Sequence, residues 1–180
     1  FELILALDGA RLPDAARAPL AALGGRSVWL ERRAGPGAAR NAGARAANGH
    51  WLAFTEDDVT PAPDWLARAA ARIEAEPALE VVEGLTVKPG GRPVHRQSQE
   101  HPLYLPTNLF VRSAAFQRVG GYCEDFHDPA SGVYFREDAD FGFTLEEAGA
   151  TVGREPGAVV THPDEHLGAL DPLRWAGRYL

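Results

Sequence analysis

The 180-residue sequence has no methionine, one cysteine and one lysine. A lone cysteine, Cys123, excludes an internal disulfide and fits a reducing compartment. Lys88 is the one lysine, so no lysine-bearing phosphate loop is available. No apolar run approaches the roughly 20 residues of a membrane-spanning helix, and no signal-peptide pattern is present. The formal net charge of −7 excludes a strongly basic, nucleic-acid-binding chain. The chain opens on the strand-like FELILAL and closes on the helix-like PLRWAGRYL. With no methionine, these ends read as those of a segment trimmed from a longer protein.

What is present is an apolar fraction of 45%, enough for one domain with a real core. A single domain is expected over residues 1–180. The charge is uneven. Residues 1–50 hold seven Arg and four acids, for +3, and residues 51–180 hold eleven Lys+Arg and twenty-one acids, for −10. The excess acid therefore lies in the later part of the chain.

Strand-like and helix-like stretches alternate. Strands are expected at 2–7, 27–31, 51–55, 79–87, 107–111 and 157–162. Helices are expected at 13–23, 38–48, 64–76, 113–118 and 138–148. Ala38, Ala39, Ala42 and Ala46 give the second helix a small-residue face. Pro61 and Pro63 punctuate a turn. Residues 88–106 form a long loop, the kind that often carries function. Residues 120–136 are Gly- and aromatic-rich and irregular. The alternation predicts a mostly parallel sheet covered by helices.

Four features carry possible chemistry. In WLAFTEDDV an apolar strand meets Glu56, Asp57 and Asp58. Ligands of open α/β sheets sit beyond the carboxyl ends of strands. A carboxylate cluster there either is a solvated turn or holds a hard cation such as Mg²⁺ or Mn²⁺. In REDADFGFTLEEAG, Asp138 shares a stripe with Phe141, Leu145 and Ala148 at a helix start. It is either an ordinary capping acid or an inward-facing carboxylate suited to general base work. His162 ends the apolar strand AVVTH, where a lone histidine has several bland roles and, beside an acidic metal site, one functional one. In GPGAARNAG, two glycines precede a helix, and Arg40 is either a bidentate diphosphate donor or a surface residue. That stretch is neither a Walker A loop nor a dinucleotide fingerprint.

The order of these pieces, from a strand ending in Asp8-Gly9 through GPGAARNAG, WLAFTEDDV, PDWL, TNLFVRSAAFQRVGGYCEDF and REDADFGFTLEEAG to PGAVVTHP, resembles the family 2 glycosyltransferases. These are inverting enzymes of the GT-A fold. The resemblance runs from Phe1 to Pro163. It implies a three-layer α/β/α sandwich that lacks the family's first strand. Residues 1–87 would form the nucleotide-sugar-binding half, 88–163 the acceptor and catalytic half, and 164–180 a C-terminal helical extension. The family's DxD motif maps onto Glu56, Asp57 and Asp58. The resemblance implies that Asp58, Glu56 and His162 bind Mn²⁺ or Mg²⁺. Asp8, Arg40, Asn41, Glu56 and Asp57 would face the donor. The family's ED pair maps onto Glu137 and Asp138, with Asp138 the catalytic base. Asn108 and Asp140 would stand on the acceptor side. Tyr104, His127 and Tyr134 would stack on a sugar or simply pack.

The implied reaction is a single displacement. A sugar moves from a nucleoside-diphosphate sugar to a hydroxyl of a glycan, a lipid-linked or a small-molecule acceptor. No nucleic acid and no transmembrane segment enter this reading. The implied location is the cytoplasm or the inner face of a membrane. Two departures stand out: Leu7 replaces the first acid of the family's Asp-Asp-Gly, and Glu56 replaces the first Asp of DxD. A non-catalytic sugar-nucleotide or glycan-binding module is the alternative. A nucleotidyltransferase would want a lysine-bearing phosphate loop.

Overall fold

Val81 and Val82 are adjacent in sequence and bury on opposite faces of one sheet. That period-two alternation organises the core. A computed structural model describes residues 1–94, 101–128, 130 and 136–163. The chain runs β1 (Ile4–Asp8), α1 (Asp14–Ala22), β2 (Arg26–Leu30), α2 (Pro36–Ala46), β3 (Trp51–Phe54), β4 (Thr60–Pro61), α3 (Trp65–Ala75) and β5 (Val81–Val87). It continues with β6 (Leu109–Arg112), α4 (Ser113–Val119), α5 (Glu137–Glu147) and β7 (Val152–Thr161). Single 3₁₀ turns lie at Pro106–Asn108 and Glu124–Phe126.

Leu52, Val81, Leu109 and Val111 point to one face, where Phe116, Tyr122, Phe141 and Leu145 cover them. Val82, Phe110, Ala158 and Val160 point to the other, under Trp65 and Ala69 of α3. The result is the expected three layers. Proline and glycine mark the joints. Pro61 sits on the short edge strand β4, where a missing N–H is tolerated.

The sheet is mixed, which corrects the expectation of a mostly parallel one. Strand order is β3-β6-β5-β7-β4, and among these pairs only β5–β7 is parallel. β1 and β2 form a separate parallel pair. The physical reason lies in the loop after β5. Parallel neighbours need a long crossover, usually a helix over one face. The loop instead returns to the edge it left, and β6 runs back antiparallel. β7 is also longer than the expected 157–162. Its register against β5 shifts between Gly84 and Leu85, which absorbs the Pro156-Gly157 interruption.

These directions bring the carboxyl ends of β3, β5 and β7 and the amino end of β6 to one edge. Glu56 and Asp58 follow β3, His162 follows β7, and Thr107 precedes β6. The expected C-terminal helix at 164–180 lies outside the described residues, as does Tyr134.

Candidate active site

Glu56, Asp58 and His162 meet at this edge, although β3 and β7 are distant in sequence. His162 Nε2 lies 3.9 Å from Oε2 of Glu56 and 3.8 Å from Oδ2 of Asp58. One ligand atom from each lies within 4.8 Å of the others. The second ring nitrogen, Nδ1, lies 2.8 Å from the carbonyl oxygen of Pro163. A carbonyl only accepts, so Nδ1 carries a proton and donates it there. Two carboxylates and an imidazole nitrogen thus converge at one point, a set whose chemistry fits a divalent cation once Nε2 presents its lone pair.

Glu56 is oriented by two donors. Thr107 Oγ1 donates to its Oε2 at 3.1 Å, and Arg40 Nη2 lies 3.3 Å from its Oε1. Arg40 also reaches α5, where Nη1 lies 2.9 Å from Oε1 of Glu137. Its guanidinium rests over the ring of Tyr122, 5.3 Å from the centroid. Tyr122 in turn stacks on Phe141 at 4.1 Å. An aromatic floor therefore supports a cation that joins both acidic motifs. Burial first, and then the neighbouring Asp138, Glu137 and Glu56, push the Tyr122 hydroxyl above its usual pKa, with Arg40 pulling the other way.

The stripe expected on α5 is off by one position. Glu137, 7% exposed, shares the buried face with Phe141 and Leu145, and Ala148 lies exposed beyond the last turn. Positions i, i+4 and i+8 suit a helical face as well as i and i+3, and Arg40 selects Glu137. Asp138 is half-buried at the helix start, with Oδ1 accepting from Ala139 N at 2.8 Å. Among the described residues it makes no ion pair. Asp140 is half-buried one step further on.

Three expected contact residues are turned inward. Asp8 accepts from the backbone N–H of Ala34 at 2.6 Å and of Gly35 at 3.0 Å, fixing the entry to α2. Asn41, 4% exposed, donates to Tyr122 O and Glu124 Oε1 and accepts from Tyr122 N. Its three hydrogen bonds go to residues 122 and 124, and of the expected alanine face of α2 Ala38 is buried and Ala39, Ala42 and Ala46 are half-buried. Asn108, expected on the acceptor side, is the most deeply buried of the three. It is 0% exposed, accepts from Trp65 Nε1 at 2.8 Å, and donates to Leu85 O and Ala158 O. Its neighbour Thr107 faces the acids instead. Asp57 is exposed beside Asp58.

Sequence reasoning missed Thr107 and Glu83. A threonine opening a strand is a signal only once the strand's direction is known. Glu83, inside VVEGLTV, breaks an apolar run, which is the visible trace of a buried carboxylate.

The family model described as glycosyl transferase family 2 matches residues 1–140. The chain belongs to glycosyl transferase family 2. The pre-mycofactocin glycosyltransferase of Mycobacterium tuberculosis is 34% identical over 148 residues, covering 71% of this chain and 30% of that protein. The family 2 segment thus spans under a third of that relative's length. Its fold is like that of S. aureus TarS, with TM-score 0.72 at 18% identity over 91% of this chain and 31% of TarS. It is also like the mannosyltransferase PcManGT from Pyrobaculum calidifontis in complex with GDP-Man and Mn²⁺, with TM-score 0.68 at 19% identity over 99% of this chain and 51% of that one. The family 2 chain therefore has the GT-A fold. No helix among its described residues is long and apolar enough to cross a membrane.

Proposed function

We propose that this family 2 domain is a metal-dependent inverting glycosyltransferase. It moves a sugar from a nucleoside-diphosphate sugar to an acceptor hydroxyl. The observation that carries the reading is the meeting of Glu56, Asp58 and His162, one ligand atom from each within 4.8 Å of the others. The imidazole favours Mn²⁺ over Mg²⁺, because Mg²⁺ prefers an all-oxygen shell. Bound there, the ion supplies positive charge for the departing nucleoside diphosphate.

The chain's own residues divide the remaining work. Asp138 takes the acceptor proton as the acceptor oxygen bonds to the anomeric carbon and the donor's bond to the diphosphate oxygen breaks. A base on the face opposite the leaving group gives inversion. Glu137 holds Arg40, and Arg40 holds Glu56, so the metal set and the base stand in a fixed relation. Asp57, exposed beside this set, faces the ribose or sugar. Asp8 and Asn41 serve the donor by shaping the walls around it. A cytoplasmic location suits the exposed Cys123.

Titrating UDP-, GDP- and dTDP-sugars with and without Mn²⁺ tests this. One of them binds in a Mn²⁺-dependent way and Asp58→Ala weakens that binding. Mn²⁺-independent binding of every donor overturns the metal role, and binding without turnover makes the domain a sugar-nucleotide-binding module.

A further inference from the structure

Glu83 is a carboxylate in the middle of a sheet, 1% exposed, with no part in the chemistry described above. Its Oε1 accepts from the backbone N–H of Leu103 at 3.0 Å and of Leu105 at 3.3 Å. Its Oε2 accepts no hydrogen bond, and Arg154 Nε stands 3.7 Å from it. A buried carboxylate is costly unless hydrogen bonds compensate it, and here that compensation comes from the Leu103 and Leu105 amides.

The segment it grips is a strap, residues 103–108, that crosses the sheet edge. Tyr104, buried and at φ 57°, lays its ring over Gly142 of α5, and its hydroxyl donates to Glu146. Any side chain at Gly142 would overlap that ring. At the far end Asn108 is bonded to three partners, and a Cβ on Gly84, the residue next to Glu83, would overlap Asn108. Between these anchors lies Thr107, whose hydroxyl donates to Glu56. Every fastening of the strap thus converges on one outward act, the aiming of the Glu56 carboxylate.

We infer that Glu83 is a positioning residue for the cation site, acting through the strap and Thr107 on Glu56. The inference rests on the proposed reading of Glu56, Asp58 and His162 as that site. Outer hydrogen bonds that orient a ligating carboxylate typically change metal affinity by about 10–100-fold. Glu83 holds both amides that flank Tyr104, so its loss frees the stretch that leads to Thr107.

The test is Mn²⁺ affinity by titration of the free ion, read beside thermal unfolding. Glu83→Leu fills the same space without an acceptor, and Thr107→Val removes the hydroxyl at the other end. Each should weaken Mn²⁺ by about 10-fold or more. Glu83→Gln keeps an acceptor for Leu103 and Leu105 and should retain most of the affinity. A role confined to folding would lower the melting temperature of Glu83→Leu and leave its Mn²⁺ affinity unchanged. If Glu83→Leu does not fold, Glu83→Asp, one methylene too short to reach both amides, replaces it. Wild-type affinity in the Glu83 variant or in Thr107→Val overturns the inference alone. Absence of Mn²⁺ binding in the unaltered protein overturns the cation site, and the inference falls with it.

Discussion

Arg40 and Glu137 are 97 residues apart in sequence, and their side chains meet at 2.9 Å in a pocket of low exposure. The pair joins α2 to α5, and Arg40 extends the link to Glu56. Removing one partner of such a pair leaves a buried charge alone, at a cost of about 3 kcal/mol. Arg40→Met should therefore destabilise strongly. Arg40→Met with Glu137→Leu should recover most of the loss, because the stranded carboxylate is gone. Urea unfolding of the two single variants and the double variant measures this. Additive losses would show that the two side chains do not act as a pair.

Asn108 tests the inner wall of the site. Its amide satisfies Trp65 Nε1, Leu85 O and Ala158 O, all buried. Asn108→Ala leaves these groups without partners and should cost at least about 2 kcal/mol. A shift in the denaturant midpoint at unchanged m-value is the expected sign. Full stability together with altered acceptor preference would restore Asn108 to the acceptor side.

How much of this was legible in the sequence depends on the kind of feature. The α/β alternation was visible because apolar spacing reports local period. The meeting of Glu56, Asp58 and His162 was visible as three strand-end polar residues, and the family resemblance supplied their grouping. Strand direction was not visible. Nothing in LFVR distinguishes an antiparallel strand from a parallel one, so Asn108 was assigned and Thr107 passed over without knowing which faced the acids. The inward turns of Asn41 and Glu137 depend on Tyr122 and Arg40. Such partners are set by tertiary packing, beyond the reach of spacing.

Glu83 gives a pH signature with a definite sign. Burial pushes its carboxyl above the ordinary value, against the pull of the Leu105 and Leu103 amides and of Arg154. Above the ordinary glutamate pKa of about 4.3, the unfolded chain has lost a proton that the folded chain still holds. Stability therefore falls as pH rises from there through the raised value. Glu83→Gln has no proton to lose. Its stability relative to wild type should improve across that window and stay level below it. Parallel pH curves for the two proteins would contradict the raised value.

Glu80, just before β5, and Arg118 of α4 provide the opposite sign. Two contacts of 2.8 and 2.7 Å hold the Glu80 carboxyl below its ordinary value, the hydrogen bond from Arg118 being the main cause. The contribution is present above the ordinary glutamate pKa and is lost as pH falls through the lowered value. The pair is partly exposed, so Glu80→Gln should cost below about 1 kcal/mol at neutral pH and nothing in strong acid. Thermal unfolding at both pH values checks it.

The division between a cation set and a separate base is tested most directly by Asp138→Asn. The measurement is the release of nucleoside diphosphate, with Mn²⁺, from whichever donor binds, together with donor affinity in the same variant. Loss of a general base predicts a fall of about 10²–10⁴-fold in turnover, with donor affinity close to wild type. Turnover retained in Asp138→Asn, or a loss of donor affinity equal to that in Asp58→Ala, would contradict the assignment.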